Sequence, residues 1–372
     1  MNERMKRFIA TTVGPGAFMG ATWSTYWRLL CDNRFRVNIR YWPRAFNAAC
    51  CSIINSLVCG WERKRFGSKL AGVEVEPPVF VLGFFRSGTT HLHNLFAIDT
   101  RFAFPNTFQV FFPNTFLTTE RLGSRFWGAG LMKVRPMDNM AVDTATPAED
   151  EMAIAMMTMC SPMAGYVFPR RLAHYDRYLT FRGMHEDEKE RWSAAFDLFL
   201  RKLTYLYRRP LVLKSPMHMG KIATLLDMFP KARFVHIHRD PYTVFQSNLH
   251  LIERILPYYQ LQRERQEDLN ELILRRYSTI HNAFFEDQPR IPKHQFSEVA
   301  FRDLESDPLD QMRRVYEELG LPDFATVEHA LARYVASLKD YRKNRFPPLD
   351  KPLRVRIAQE WKPSFDRWGY EP

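Results

Sequence analysis

Three times in this chain a short apolar run breaks into a polar turn and then a helix-forming segment. The copies read PPVFVLGFFRSGTTHLHNLF from residue 77, PLVLKSPMHMGKIATLLDMF from residue 210 and ARFVHIHRDPYTVFQSNLHL from residue 232. Strands alternating with helices in this way build right-handed βαβ units on a parallel sheet. Ligands of such sheets bind beyond the carboxyl ends of the strands. The loops after Leu82, Leu213 and Ile237 are therefore expected to converge. The fold expected is α/β: a P-loop-like, three-layer arrangement with a central parallel sheet flanked by helices, plus an N-terminal helical extension. The division expected is an extension over 1–75 and the main domain over 76–372.

Local signals support this layout. Pro77 and Pro78 force an extended entry into the first strand. A helix is expected from about Gly88 to Ala97, with Leu92, Leu95 and Phe96 on its buried face. Residues 186–207 read as a long amphipathic helix, and a later strand near Glu298–Phe301 precedes a helix over 308–319. In TPAEDEMAIAMMTMC, Thr146 is the expected N-cap, with Pro147 and three acids in the first turn, where proline and negative charge suit a helix start. The methionines of that helix read as core.

The chain has 372 residues and a net charge of +12. A basic excess favours an anionic partner: a polyphosphate, nucleic acid or an anionic membrane face. No zinc-finger spacing, RNA-recognition motif or dense basic block is present, so nucleic acid is not expected. The five cysteines, Cys31, Cys50, Cys51, Cys59 and Cys160, are odd in number and contain no CxxC pair. That argues against a disulfide framework or zinc site and for a reducing, cytoplasmic location. Twenty uncharged residues lie between Arg7 and Arg28, but glycine, proline and threonine interrupt them. They read as an amphipathic segment packed on the domain, with peripheral membrane contact as a further option.

The loop after Leu82 carries the chemistry. Gly83 and Gly88 have the glycine separation of a Walker loop, and Thr90 matches its hydroxyl position. Thr89 stands where that loop has its lysine, and the neighbouring strands end in Lys214 and His238-Arg239 where a magnesium site needs an acid. What remains is a backbone nest at a helix N-terminus, the hydroxyls of Ser87, Thr89 and Thr90, and the fixed charge of Arg86. HRD at 238–240 does not make a kinase loop, since Asn248 is wrongly spaced and no DFG or VAIK follows.

GFFRSGTTHLHNL and RFVHIHRDPYTVFQSNL resemble the two cofactor motifs of sulfotransferases that use 3'-phosphoadenosine 5'-phosphosulfate (PAPS). The first is similar to the 5'-phosphosulfate loop in its arginine form, as in tyrosylprotein sulfotransferases and many bacterial members. The resemblance covers about residues 76–320, and it implies sulfuryl transfer to an acceptor hydroxyl, leaving adenosine 3',5'-bisphosphate. It assigns the 5'-phosphosulfate to Arg86, Ser87, Gly88, Thr89 and Thr90, and the 3'-phosphate to Arg239 and Ser247. Ser247 lies about two helical turns beyond Arg239, so it is expected to reach the loop only if the chain bends back. Lys214 is implied to steady charge on the leaving phosphate oxygen. A glutamate at a helix start is implied to take the acceptor proton; Glu149 is the first choice and Glu151 the second. His218 is a further acid/base candidate, and Lys343 a further contact to the 3'-phosphate. No metal is expected, because fixed arginine and lysine charges stand where magnesium acts in nucleotide hydrolases. The aromatic region 102–116 leans towards a small hydrophobic or lipid-like alcohol as acceptor. Two alternatives stay open at this point: a degenerate P-loop kinase, and a membrane-associated binding protein without catalysis.

Overall fold

The computed structural model describes residues 8–14, 16–128, 143–263, 268–338, 344 and 346–372. Four strands form one sheet: β1 (Val79–Leu82), β2 (Val212–Lys214), β3 (Arg233–His238) and β4 (Phe296–Ala300), in the order β2-β1-β3-β4. Every pairing is parallel, with Val81 opposite both Lys214 and Val235. The helices that bear on function are α1 (Trp23–Asp32), α2 (Trp42–Ala71), α3 (Thr89–Ala97), α4 (Asp150–Thr158), α5 (Glu186–Tyr207), α6 (Pro241–Tyr259), α7 (Leu269–Asp287) and α8 (Pro308–Glu318). The chain divides into two compact units, one of Met1–Glu74, Pro105–Leu206 and Ile252–Asp268, the other of Val75–Phe104, Tyr207–Leu251 and Leu269–Pro372.

The second unit holds the sheet. All four residues of β1 are buried, as expected of a central parallel strand covered on both faces. Alternate side chains serve opposite layers. Val79, Val81, Val235, Ile237 and Val299 join Leu92, Leu95 and Phe96 of α3 and Met312 and Val315 of α8 in one core. On the other face Phe80 stacks on Phe234 at 5.5 Å and meets Phe229 at 6.3 Å. Leu92, Leu95 and Phe96 are wholly buried, each contributing about 1.5–3 kcal/mol of transfer free energy. β1 thus sits between β2 and β3, and the chain reverses its direction of sheet growth there, the position at which doubly wound sheets bind ligands.

The first unit is helical. α2 turns an unusual face inward: its buried residues are Arg44, Ala48, Ser52, Asn55, Glu62 and Leu70. The polar members have partners. Arg44 donates to the carbonyls of Ala10 at 2.8 Å, Pro257 at 3.0 Å and Gln260 at 3.1 Å. Asn55 donates to the Ala21 carbonyl at 3.2 Å. Glu62 pairs with Lys202 of α5 at 2.6 Å and accepts from the Thr118 amide at 2.9 Å. Burial pushes the Lys202 ammonium below its ordinary pKa, against the pull of Glu62.

α3, α5 and α8 start and stop within a residue of expectation. The start of α4 differs. Thr146 does not cap it; Glu149 is the N-cap residue, though its side chain makes no capping bond. The Asp143 carboxylate holds the Thr146 amide at 2.8 Å and its hydroxyl at 2.9 Å, and Pro147 bridges Asn106. An aspartate three residues upstream outcompetes the helix for the threonine. The methionine stretch is core, with Met152, Ile154 and Met156 buried. No helix among the described residues is long and apolar enough to cross a membrane.

Candidate active site

The loop joining β1 to α3 is built on left-handed backbone. Gly88, the N-cap of α3, has φ +106°, and a Cβ there would lie 2.2 Å from the Phe301 ring. Gly83 is as crowded: an added Cβ would come within 2.7 Å of the Ile237 carbonyl. Arg86 also has positive φ, at +69°. A non-glycine residue held there costs about 1–2 kcal/mol. Such an outlier at a ligand loop signals a side chain that must point one way.

That direction is towards α6. Arg86 Nε donates to the Ser247 hydroxyl at 2.9 Å. Next to it, Asn248 Nδ2 donates to the Phe85 carbonyl at 2.9 Å and to Val244 O at 2.8 Å. No backward bend of the chain is required: α6 begins at Pro241, and its second turn faces the loop directly. Asp240 starts that helix, accepting from the Thr243 amide and hydroxyl, both at 2.7 Å. Arg239 leaves the end of β3, lies 4.3 Å over the Phe301 ring and donates to the Arg86 carbonyl at 3.3 Å. The two motifs therefore meet in one place, with two guanidinium groups and the Ser247 hydroxyl together.

The third strand end adds a cation. Lys214, the last residue of β2, is 2% exposed, and its Nζ donates to the Thr90 hydroxyl at 3.4 Å. A buried ammonium within reach of a helix N-terminus fits an anionic ligand, whose charge offsets the cost of desolvating the lysine. Ser87 is buried and donates back to the Phe84 carbonyl at 2.7 Å, which braces the loop. His218 is wholly buried on a single 3-10 turn, its ring 5.1 Å from Phe80 on the aromatic face of the sheet.

Arg86, Ser87, Gly88, Thr89, Thr90, Lys214, Arg239 and Ser247 all belong to the second unit. Glu149 and Glu151 belong to the first, Glu149 half-buried at the start of α4 and Glu151 buried within its first turn. Lys343 lies outside the described residues. Asn248 and Phe301 were not expected at the site. An amide that braces a loop through a backbone carbonyl, and a ring beneath a glycine, leave no spacing signature.

The sulfotransferase family profile matches residues 77–325. This chain belongs to the sulfotransferase family. It is 32% identical over 360 residues to omega-hydroxy-beta-dihydromenaquinone-9 sulfotransferase Stf3 of Mycobacterium bovis, covering 95% of this chain and 91% of that protein. The same figures hold for the Mycobacterium tuberculosis protein of that name. Among solved structures, sulfotransferase STF9 from Mycobacterium avium superposes with a TM-score of 0.71 at 20% identity, over 94% of this chain and 92% of that one. Sulfotransferase STF1 from Mycobacterium tuberculosis gives 0.64 at 17%, over 97% and 98%. These two likenesses show the same α/β fold. As a sulfotransferase, the enzyme takes its sulfuryl group from an activated sulfate donor. The kinase and the non-catalytic reading give way to this assignment.

Proposed function

We propose that this sulfotransferase transfers a sulfuryl group from PAPS to the hydroxyl of a hydrophobic, lipid-like alcohol and releases adenosine 3',5'-bisphosphate. One observation carries the donor half, the bond from Arg86 Nε to the Ser247 hydroxyl. It ties the loop suited to a 5'-phosphosulfate to the residue suited to a 3'-phosphate. A nucleotide with anionic groups on both sides of its ribose addresses both; a nucleoside triphosphate carries only a neutral hydroxyl at the 3' position.

The roles follow from charge and position. The α3 N-terminus, with the hydroxyls of Thr89 and Thr90, receives the 5' oxyanions. Arg86 supplies a guanidinium for the negative charge shared between the sulfuryl oxygens and the leaving phosphate. Lys214 neutralises the phosphate oxygen as the bridging S–O bond breaks. Arg239 and Ser247 hold the 3'-phosphate. The acceptor oxygen forms the new S–O bond, and its proton passes to a carboxylate, Glu149 first and Glu151 second; His218 is the third choice. These cations supply the electrostatic stabilisation without a metal in the scheme.

The acceptor class draws on the mycobacterial relative, an omega-hydroxy-beta-dihydromenaquinone-9 sulfotransferase. The test is transfer from sulfur-labelled PAPS to a long-chain prenyl alcohol, with Arg86→Ala and Lys214→Ala as controls. Labelled lipid product with wild type and at least about a hundredfold less with either variant supports the reading. Wild-type protein that does not bind PAPS overturns it.

A further inference from the structure

α2 is inverted. Its buried side chains are largely polar, as described above, while its solvent side carries Trp42, Phe46, Ile53, Ile54, Leu57 and Trp61, all exposed. Phe46 is 70% exposed and Leu57 72%. At about 100° per residue these six positions fall in a stripe about 120° wide. An apolar stripe of that width is what a surface helix ordinarily turns towards a core. Here Arg44, Ser52, Asn55 and Glu62 occupy the inward face instead, each with partners, so the helix is not misplaced.

The neighbouring helix extends the patch. The Trp23 amide donates to Ser56 Oγ at 2.8 Å, which fixes α1 beside α2. On α1 the rings of Trp23 and Trp27 lie 5.3 Å apart, and Trp27 meets Phe35 at 5.1 Å; all three are exposed. An exposed apolar surface of this kind marks a docking site.

The surrounding charge identifies what docks. Between residues 8 and 71 stand nine arginines and lysines and two acids, Asp32 and Glu62. Arg44 and Glu62 are buried, which leaves eight exposed cations against Asp32. Arg34, Arg36 and Arg40 precede the stripe; Arg63, Lys64 and Arg65 follow it, with the Arg65 guanidinium 5.3 Å from the Trp61 ring. Tryptophans and aliphatics between basic residues are the composition of a helix that lies in a bilayer interface. A second copy of the chain would bring like charges together across the contact, whereas anionic headgroups complement them.

We propose that the outer face of α2, with the tryptophans of α1, is a monotopic docking surface for an anionic phospholipid bilayer, on which the helices lie without crossing. The proposal rests on this surface alone and is independent of the donor assignment.

The experiment is flotation of the full-length protein with vesicles of phosphatidylcholine containing about 30% phosphatidylglycerol, and with phosphatidylcholine alone. Brominated acyl chains report whether tryptophan enters the bilayer. Expected are co-flotation and tryptophan quenching with the anionic vesicles, and at least about tenfold weaker binding for Phe46→Glu/Leu57→Glu and for Arg63→Glu/Lys64→Glu. These positions are exposed, so both variants should melt with the wild type and keep its affinity for adenosine 3',5'-bisphosphate. Wild type that stays at the bottom of the gradient unquenched overturns the proposal. So does a stable wild-type dimer that Phe46→Glu/Leu57→Glu converts to monomer.

Discussion

Arg86 and Ser247, 161 positions apart, are joined by a 2.9 Å hydrogen bond from the guanidinium Nε to the hydroxyl. The bond uses Nε, the single-proton nitrogen of the guanidinium. Ser247 thereby steadies the arginine as well as offering its own hydroxyl. Ser247→Ala removes a neutral donor and an orienting bond, a loss of about 1–1.5 kcal/mol. It should raise the dissociation constant of adenosine 3',5'-bisphosphate roughly tenfold by calorimetry. Turnover at saturating donor should fall less than the affinity does.

Arg86 is the residue where fold and function pull apart. Its backbone sits at φ +69°, a conformation glycine adopts at little cost. Arg86→Gly relieves that strain while giving up the Ser247 bond and some chain stiffness. Stability by urea denaturation should therefore stay within about 1 kcal/mol of wild type. Sulfuryl transfer should fall about a hundredfold or more in kcat/KM. Equal losses of stability and activity would mean that the arginine serves the fold.

Lys214→Met keeps the volume and burial of a side chain that is 2% exposed and removes its charge. If the ammonium neutralises the leaving oxygen, its loss is felt mainly in the transition state. Single-turnover rates should drop about a hundred- to a thousandfold, with bisphosphate affinity changed only a few-fold. A pure affinity loss with unchanged turnover would make it a ground-state ligand instead.

Two histidines under the site set an acid limit. Burial pushes His281 down to about 3, while its Nδ1 lies 2.9 Å from the Tyr277 carbonyl. Burial, with His236 adding repulsion, pushes His238 down to about 4; its ring stacks on Trp368 at 4.8 Å. Both pKa values lie below the unfolded value near 6.5. Between pH 6.5 and these values the unfolded chain binds protons that the folded chain refuses, so stability falls as pH falls. From pH 7 to 5 the loss should be about 2 kcal/mol per imidazole by urea denaturation. His281→Phe should flatten that slope by about half.

The sheet was legible because its strands are short apolar runs that end in punctuated turns. β1 reads Val-Phe-Val-Leu between Pro78 and Gly83, and all four residues are buried as such a run requires. α5 was legible from its long amphipathic run. The loop too was readable, since Gly83 and Gly88 stand where only glycine fits. What escaped depended on partners far along the chain. The cap of α4 moved from Thr146 to Glu149 because Asp143 claims the threonine. Ser247 needed no bend in the chain, because the left-handed backbone at Arg86 aims its side chain at α6. The inward polar face of α2 was hidden because Arg44 finds its acceptors on Pro257 and Gln260, more than 200 positions away.

The most direct measurement is a calorimetric comparison of adenosine 3',5'-bisphosphate, adenosine 5'-phosphate and magnesium ATP on the wild-type enzyme. With Arg86, Arg239 and Ser247 gathered at the end of β3, the bisphosphate should bind at least about a hundredfold more tightly than either competitor, since losing charge-assisted bonds to one phosphate costs about 3 kcal/mol. Equal or tighter binding of magnesium ATP, or no penalty for removing the 3'-phosphate, would contradict the assignment of this loop to a 3'-phosphorylated sulfate donor.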